Sequence, residues 1–305
     1  MATVHIRFGG YQPSTSVHTR AAHVLEQALV SRLGQTVRFD LDENILTSGH
    51  KAAELLSMVE HGRLTMCYFS TSYLAERVPE YALLDLPFLF TNRAKAHTIL
   101  DGPLGHILAD KLGAQTGFRV LGFWDNGFRH LSNAVRPIRT PADCTGLRIR
   151  TQPSPLHGSI FRLLGFEPVA LDVKDLIAQV QSGAVDAQEN PLTTLYNFGL
   201  HRSHRYITLS SHLFGAAVLL CHGASYASWS AEIRQALTEA AAEATTAQRQ
   251  FAAAADDEVL AQLRPDQNDI VRLTEAERSL FVEAVAPLVD EQHRRFGQEL
   301  CGYLA

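Results

Sequence analysis

Two arginines stand in settings unlike a solvated surface. Arg129 follows an apolar, strand-like segment in Asp125-Asn126-Gly127-Phe128-Arg129. Arg150 ends the alternating run Leu147-Arg148-Ile149-Arg150, just before Thr151-Gln152-Pro153. A guanidinium is planar, permanently charged and offers a fork of donors that matches a carboxylate two prongs at a time. Two such forks at strand ends, facing a crevice, would clamp an organic anion. Each could equally close a structural salt bridge or sit on a wet face, and spacing leaves both readings open.

Two further polar residues join them. Asn190 ends the polar stretch that begins at Gly183, and Pro191 behind it holds it out of the helical region. Its amide can then be aimed at a ligand as one donor and one acceptor, or satisfy a polar turn. Asp172, ahead of Val173-Lys174-Asp175, reads as a helix cap with a second acid at N3. A ligand hydroxyl or ammonium is its other candidate partner, and the two roles are compatible.

Signatures of catalysis and cofactor binding are missing: no G-x-S-x-G, G-x-x-x-x-G-K, G-x-G-x-x-G or H-E-x-x-H occurs. His201 and His204 have a spacing a metal could use on a helix, but with no third ligand nearby they read as a polar turn. No metal or cofactor is expected. Cys67, Cys144, Cys221 and Cys301 lie far apart without a C-x-x-C pair. They read as small buried hydrophobes, with a disulfide or two left open.

Composition narrows the partners. The 305 residues are 46% hydrophobic and 19% charged, enough for a substantial core, and the formal charge is −5. A nucleic-acid binder would carry a basic stripe to neutralise phosphates, and this chain has none. An anionic membrane surface is disfavoured for the same reason. No apolar run approaches the roughly 20 residues that span a bilayer. The first residues, Met-Ala-Thr-Val-His-Ile-Arg-Phe, read as a strand without the regions of a signal peptide. Either the protein is cytosolic or a leader has been removed.

The elements that must position these side chains alternate as in α/β proteins. Strands are expected at 4–8, 37–41 and 65–69, with helices at 17–33 and 51–61. The apolar segment 83–90 enters the core before a helix near 93–112. Strands follow at 119–124, 128–132, 147–150 and around 185–186, with helices at 155–164 and 173–182. An apolar strand at 213–221 precedes a helix of about 30 residues over 231–263, and a capping box at Thr274 opens the last helix. No Gly- or Pro-rich linker and no fixed-period repeat divides the chain.

Several of these pieces, in order, resemble one family. Leu86-Pro87-Phe88-Leu89-Phe90, Asn126-Gly127-Phe128-Arg129, Arg136 through Asp143, Gly146 through Arg150 and Gly183 through Pro191 are similar to the solute-binding proteins of tripartite ATP-independent periplasmic (TRAP) transporters. Weaker similarity covers nearly the whole chain. The resemblance implies a two-lobed, type II-like periplasmic binding protein, each lobe a mixed sheet of five or six strands flanked by helices, with a long helix spanning both. Lobe I is then residues 1–124 plus 213–250, and lobe II is 125–212 plus 251–305. It further implies a periplasmic protein, free of cofactors, that captures a small organic anion by lobe closure and hands it to a membrane permease.

The resemblance also assigns roles. Arg150 takes the main salt bridge to the ligand carboxylate, Arg129 assists, and Asn190 reaches the same end. First-lobe contacts are expected from Tyr11, Gln12 and His18 and from Ser70 through Tyr73. Two departures stand out: Ala187 where the family usually has Gly, and Asp172-Val173 where many members have Pro-Phe. A carboxylate at 172 would repel a dicarboxylate and favour a monocarboxylate with hydroxyl or other donor groups. The rival readings are a ligand-sensing adaptor for a signalling receptor and an unrecognised enzyme using a histidine base.

Overall fold

In the computed structural model, which describes residues 3–304, the chain alternates strand and helix as its hydrophobic periods require. β1 (Val4–Gly9), α1 (Val17–Leu33), β2 (Val37–Asp42), α2 (Glu54–Glu60) and β3 (Met66–Ser70) come first. Ser16 caps α1 by accepting from the Thr19 amide, and Ala21, Leu25 and Leu29 bury one stripe of it. The helix expected near 93–112 is two, α3 (Arg93–Asp101) and α4 (Pro103–Gln115). Pro103 has no N–H to continue α3 but suits the first turn of a new helix.

The two strands expected at 119–124 and 128–132 are one, β4 (Phe118–Asn133). Irregular register between Val120/Gly122, Asp125/Gly127 and Arg129/Leu131 bends it without ending it. β5 (Arg148–Thr151), α5 (Pro155–Leu163), β6 (Glu167–Ala170), α6 (Val173–Gln181), β7 (Ala187–Pro191) and α7 (Leu192–Asn197) follow. The strand expected around 185–186 is thus displaced to β7. Asp186 instead receives the Arg148 guanidinium at 2.8 Å.

The partner of β4 is β8 (Tyr206–His222), longer than its apolar core at 213–221. After it come α8 (Gly223–Ser228), α9 (Ala231–Gln262), β9 (Asp269–Arg272) and α10 (Glu275–Cys301). At the start of α10 both halves of the Thr274–Glu277 capping box form. β6 and β9 were not expected; four residues each are too few to show a period.

Hydrogen bonding joins the strands in the order β2-β1-β3-β8-β4-β7-β5-β6, with β9 beside β8. The two lobes are the wings of this one mixed sheet. β3 pairs with residues 217–221 of β8, whereas β7 pairs with residues 129–133 of β4. The long antiparallel pair β4–β8 carries the chain from one wing to the other. α9 packs along β4 and against α1 through small buried residues, Ala240, Ala241 and Ala244 among them. Two apolar cores result, a large one around β1, β3, α1 and α9, and a smaller one around β5, α5 and α10.

Candidate functional site

β1 and β3 run parallel in one wing, and β5 and β7 run parallel in the other. Ligands in open α/β sheets gather beyond the carboxyl ends of such strands. Here those ends supply Tyr11 and Gln12 after β1, Ser70 closing β3, Arg150 near the end of β5 and Asn190 near the end of β7. All five, with Tyr73, line one cavity between the wings. The space they leave is about 20 Å³, room for one or two waters. That space is too small for an organic acid.

Arg150 is 1% exposed. Its Nε and Nη2 donate to one carbonyl, that of Leu171, at 2.9 and 2.7 Å. Among the described residues no carboxylate pairs with it, whereas the other buried arginine near the site, Arg129, is paired with Glu189. Burial pushes the pKa of the neighbouring Tyr73 hydroxyl up, and the Arg150 charge pulls against that. A desolvated cation held by neutral groups alone is a costly arrangement that an anion would relieve.

Arg129 occupies a different place. Its guanidinium closes on both carboxylate oxygens of Glu189, donates to the Glu189 carbonyl at 2.8 Å and to Asn190 Oδ1 at 3.2 Å. It does not line the cavity. Burial alone would raise the Glu189 carboxyl, but the Arg129 charge and hydrogen bonds from His212 and Arg129 hold it far below the usual carboxylate range. The structural salt bridge left open by spacing is thus the one that forms, and Arg129 acts on the site by holding Asn190. With its Nδ2 donating to Gln188 Oε1 at 2.6 Å, Asn190 is fixed at both ends of its amide.

Asp172 is the N-cap of α6, accepting from the Lys174 amide at 2.9 Å. Its two oxygens also reach the amides of Ala52 and Ala53, each at 3.4 Å, and Lys174 Nζ donates to the Gly49 carbonyl. The carboxylate is spent on backbone and does not line the cavity, so the repulsion of a dicarboxylate expected from it does not follow. His18 lies beneath the β1 loop, its ring stacked on Tyr68 at 4.8 Å, and neither nitrogen finds a partner. Burial lowers its pKa from 6.5 to about 4. It too stays off the cavity wall.

Within Ser70 through Tyr73 the outer two residues face the cavity. Thr71 donates to the Ala216 carbonyl at 3.1 Å, and Ser72 donates to buried Asp85 at 2.9 Å. Wall residues that the sequence did not announce include Ala52, Asn126, Gln152 and Thr194. Asn126 and Gln152 flank the two arginines closely enough that strand-end polarity was an available signal. His201 stacks on Tyr196 while His204 meets the Ser132 hydroxyl at 2.9 Å, so the two rings serve separate contacts. Cys67, Cys144, Cys221 and Cys301 are all free thiols.

Known proteins share this architecture. A sugar acid binding protein of Advenella mimigardefordensis, solved with galactonate, superimposes with a TM-score of 0.94 at 28% identity, over 100% of this chain and 97% of its own. The 2,3-diketo-L-gulonate-binding periplasmic protein YiaO of Escherichia coli is 28% identical over 285 residues, 93% of this chain and 85% of that protein. An uncharacterized protein of Sinorhizobium fredii, y4mM, is 36% identical over 251 residues, 82% of this chain, which spans only 46% of that longer protein. Among the described residues no helix is long and apolar enough to cross a membrane. Residues 8–295 match bacterial extracellular solute-binding protein family 7, the DctP family of TRAP solute receptors, and the chain belongs to it.

Proposed function

We propose that this protein is the periplasmic capture component of a TRAP uptake system, taking up a small monocarboxylate that carries hydroxyl groups. One observation carries the reading: Arg150 is buried, lacks a carboxylate partner, and is the sole charged side chain on a wall otherwise made of neutral polar and apolar residues. One carboxylate finds a fork there. A second would be buried without a cation, at a cost of several kcal/mol. Both the diketogulonate and the galactonate named for its relatives are monocarboxylic sugar acids.

Capture proceeds by hinge closure. The wings part, the carboxylate docks on Arg150, and closure excludes water, which strengthens the ion pair. The bound acid favours the shut form only by its greater affinity for it. Lobes of 1–124 plus 213–250 and 125–212 plus 251–305 fit this motion, since the irregular register at Asp125/Gly127 lies at that division. Delivery to a membrane permease completes the cycle.

Calorimetric titration of the wild type and Arg150→Ala with galactonate, D-erythronate and succinate tests the proposal. Binding of a hydroxylated monocarboxylate should fall at least 100-fold in the variant, in line with about 3 kcal/mol for a buried ion pair that loses its cation. Each acid should be recovered chemically unchanged, which an enzyme would not allow. Undiminished affinity in Arg150→Ala, or preference for succinate, rejects it.

A further inference from the structure

Two amides on the cavity wall have been left unsatisfied by the protein itself. Asn126 and Gln152 are 5% and 6% exposed, and the side-chain oxygen of each is buried without a hydrogen-bond partner. Buried amides elsewhere around the site are treated differently. Asn190 is engaged at both ends, Gln188 donates to Ser132 at 2.6 Å, and Gln248 clasps the backbone of Asp125 at 2.7 and 2.6 Å. A buried acceptor without a donor is destabilising, and folded proteins rarely tolerate one without a use for it.

Neither amide is loosely placed. Asn126 sits in the irregular turn of β4, where the Gly127 amide donates to Asp125 Oδ1 at 2.7 Å. Gly215 keeps room for it, since a Cβ there would stand 3.2 Å from Asn126 Cβ and 3.3 Å from its amide nitrogen. Gln152 follows directly on β5, two residues after Arg150, and lines the same cavity. A turn in which the Ser154 amide donates to the Gln152 carbonyl at 2.7 Å fixes it.

We propose that Asn126 and Gln152 read hydroxyl groups on the ligand, beside the carboxylate held by Arg150. The inference rests on the carboxylate reading of the site and adds the substituent. An amide oxygen needs a donor, which a hydroxyl supplies and an ionised carboxylate cannot. An amide nitrogen on the same group can donate back to that hydroxyl oxygen. The site then selects a polyhydroxy monocarboxylate over the unsubstituted acid of equal length. Discrimination of this kind is steep, because the unsubstituted acid leaves both acceptors buried and unpaired.

The test uses shape-matched apolar replacements, Asn126→Leu and Gln152→Met, titrated with D-erythronate against butyrate and galactonate against hexanoate. Each variant should lose at least tenfold in affinity for the hydroxylated acid and less than threefold for its unsubstituted partner. The unliganded melting temperature should stay level or rise, because an unsatisfied amide has been removed; a structural role would lower it. Wild-type affinity for erythronate and galactonate in both variants, with loss confined to Arg150→Ala, overturns the hydroxyl assignment and leaves the carboxylate reading standing. Equal losses for both members of each pair also overturn it. Indifference of both wild type and Arg150→Ala to every acid overturns both.

Discussion

Arg129 and Glu189 face each other diagonally on the antiparallel β4–β7 pair, where the register sets Arg129 opposite Pro191 and Leu131 opposite Glu189. Both are buried, and the guanidinium grips both carboxylate oxygens. Removing one partner strands the other in a dry interior, a loss of about 3–5 kcal/mol. Glu189→Gln should therefore lower the melting temperature by several degrees in thermal unfolding. It should also weaken ligand binding, because Arg129 then no longer holds Asn190 in place. A variant as stable as wild type would show that the pair is not integral to the fold.

Asp172 links the two wings of the cleft through the Ala52 and Ala53 amides. Asn caps a helix as well as Asp does, so Asp172→Asn separates the two jobs. Helix α6 and the melting temperature should change little. Ligand release should quicken several-fold in stopped-flow measurements, since charge-assisted bonds across the mouth contribute about 1 kcal/mol. Unchanged release rates would remove Asp172 from the closure mechanism.

Acid should loosen the fold through its buried histidines. Burial lowers His18 from 6.5 to about 4, His130 to about 3 and His204 to about 4. The unfolded chain then binds more protons than the native one as pH falls below 6.5, so stability drops from there toward pH 4. For His18 the drop amounts to roughly 3 kcal/mol. His18→Phe keeps the stacking on Tyr68 and carries no proton, so its melting temperature should fall less between pH 7 and pH 4.5 than that of wild type. Parallel curves for the two proteins would contradict this.

Gly127 has φ of +96°, and a Cβ on it would meet Pro191 Cβ at 3.2 Å. Gly127→Ala should cost about 1–3 kcal/mol in denaturant unfolding. Because the strain sits where β4 changes register, ligand affinity should fall as well. Loss of stability without loss of affinity would place the hinge elsewhere.

Much of the frame could be read from spacing. Thr274 and Asp172 marked helix starts that the structure keeps, and the apolar periods located α1, β3, α6 and α9. Spacing left Arg150 and Arg129 alike, each a ligand clamp, a structural salt bridge or a wet face, and only the pairing of β4 with β7 brings Glu189 within reach of Arg129. The carboxylate of Asp172 was readable as a cap but not as a bridge to α2, a contact between distant parts of the chain. Asn126 and Gln152 carried only the signal of polarity beside the arginines; that their side-chain oxygens lack partners emerges only once everything around them is in place.

The main-chain ladder between β4 and β8 runs from one wing to the other, interrupted only at its three register shifts. The halves cannot slip past one another without tearing that ladder, which leaves twisting at its irregular points as the available movement. On the capture reading proposed above, the opening would then form along one fixed edge, and a solute would arrive and depart by a single door.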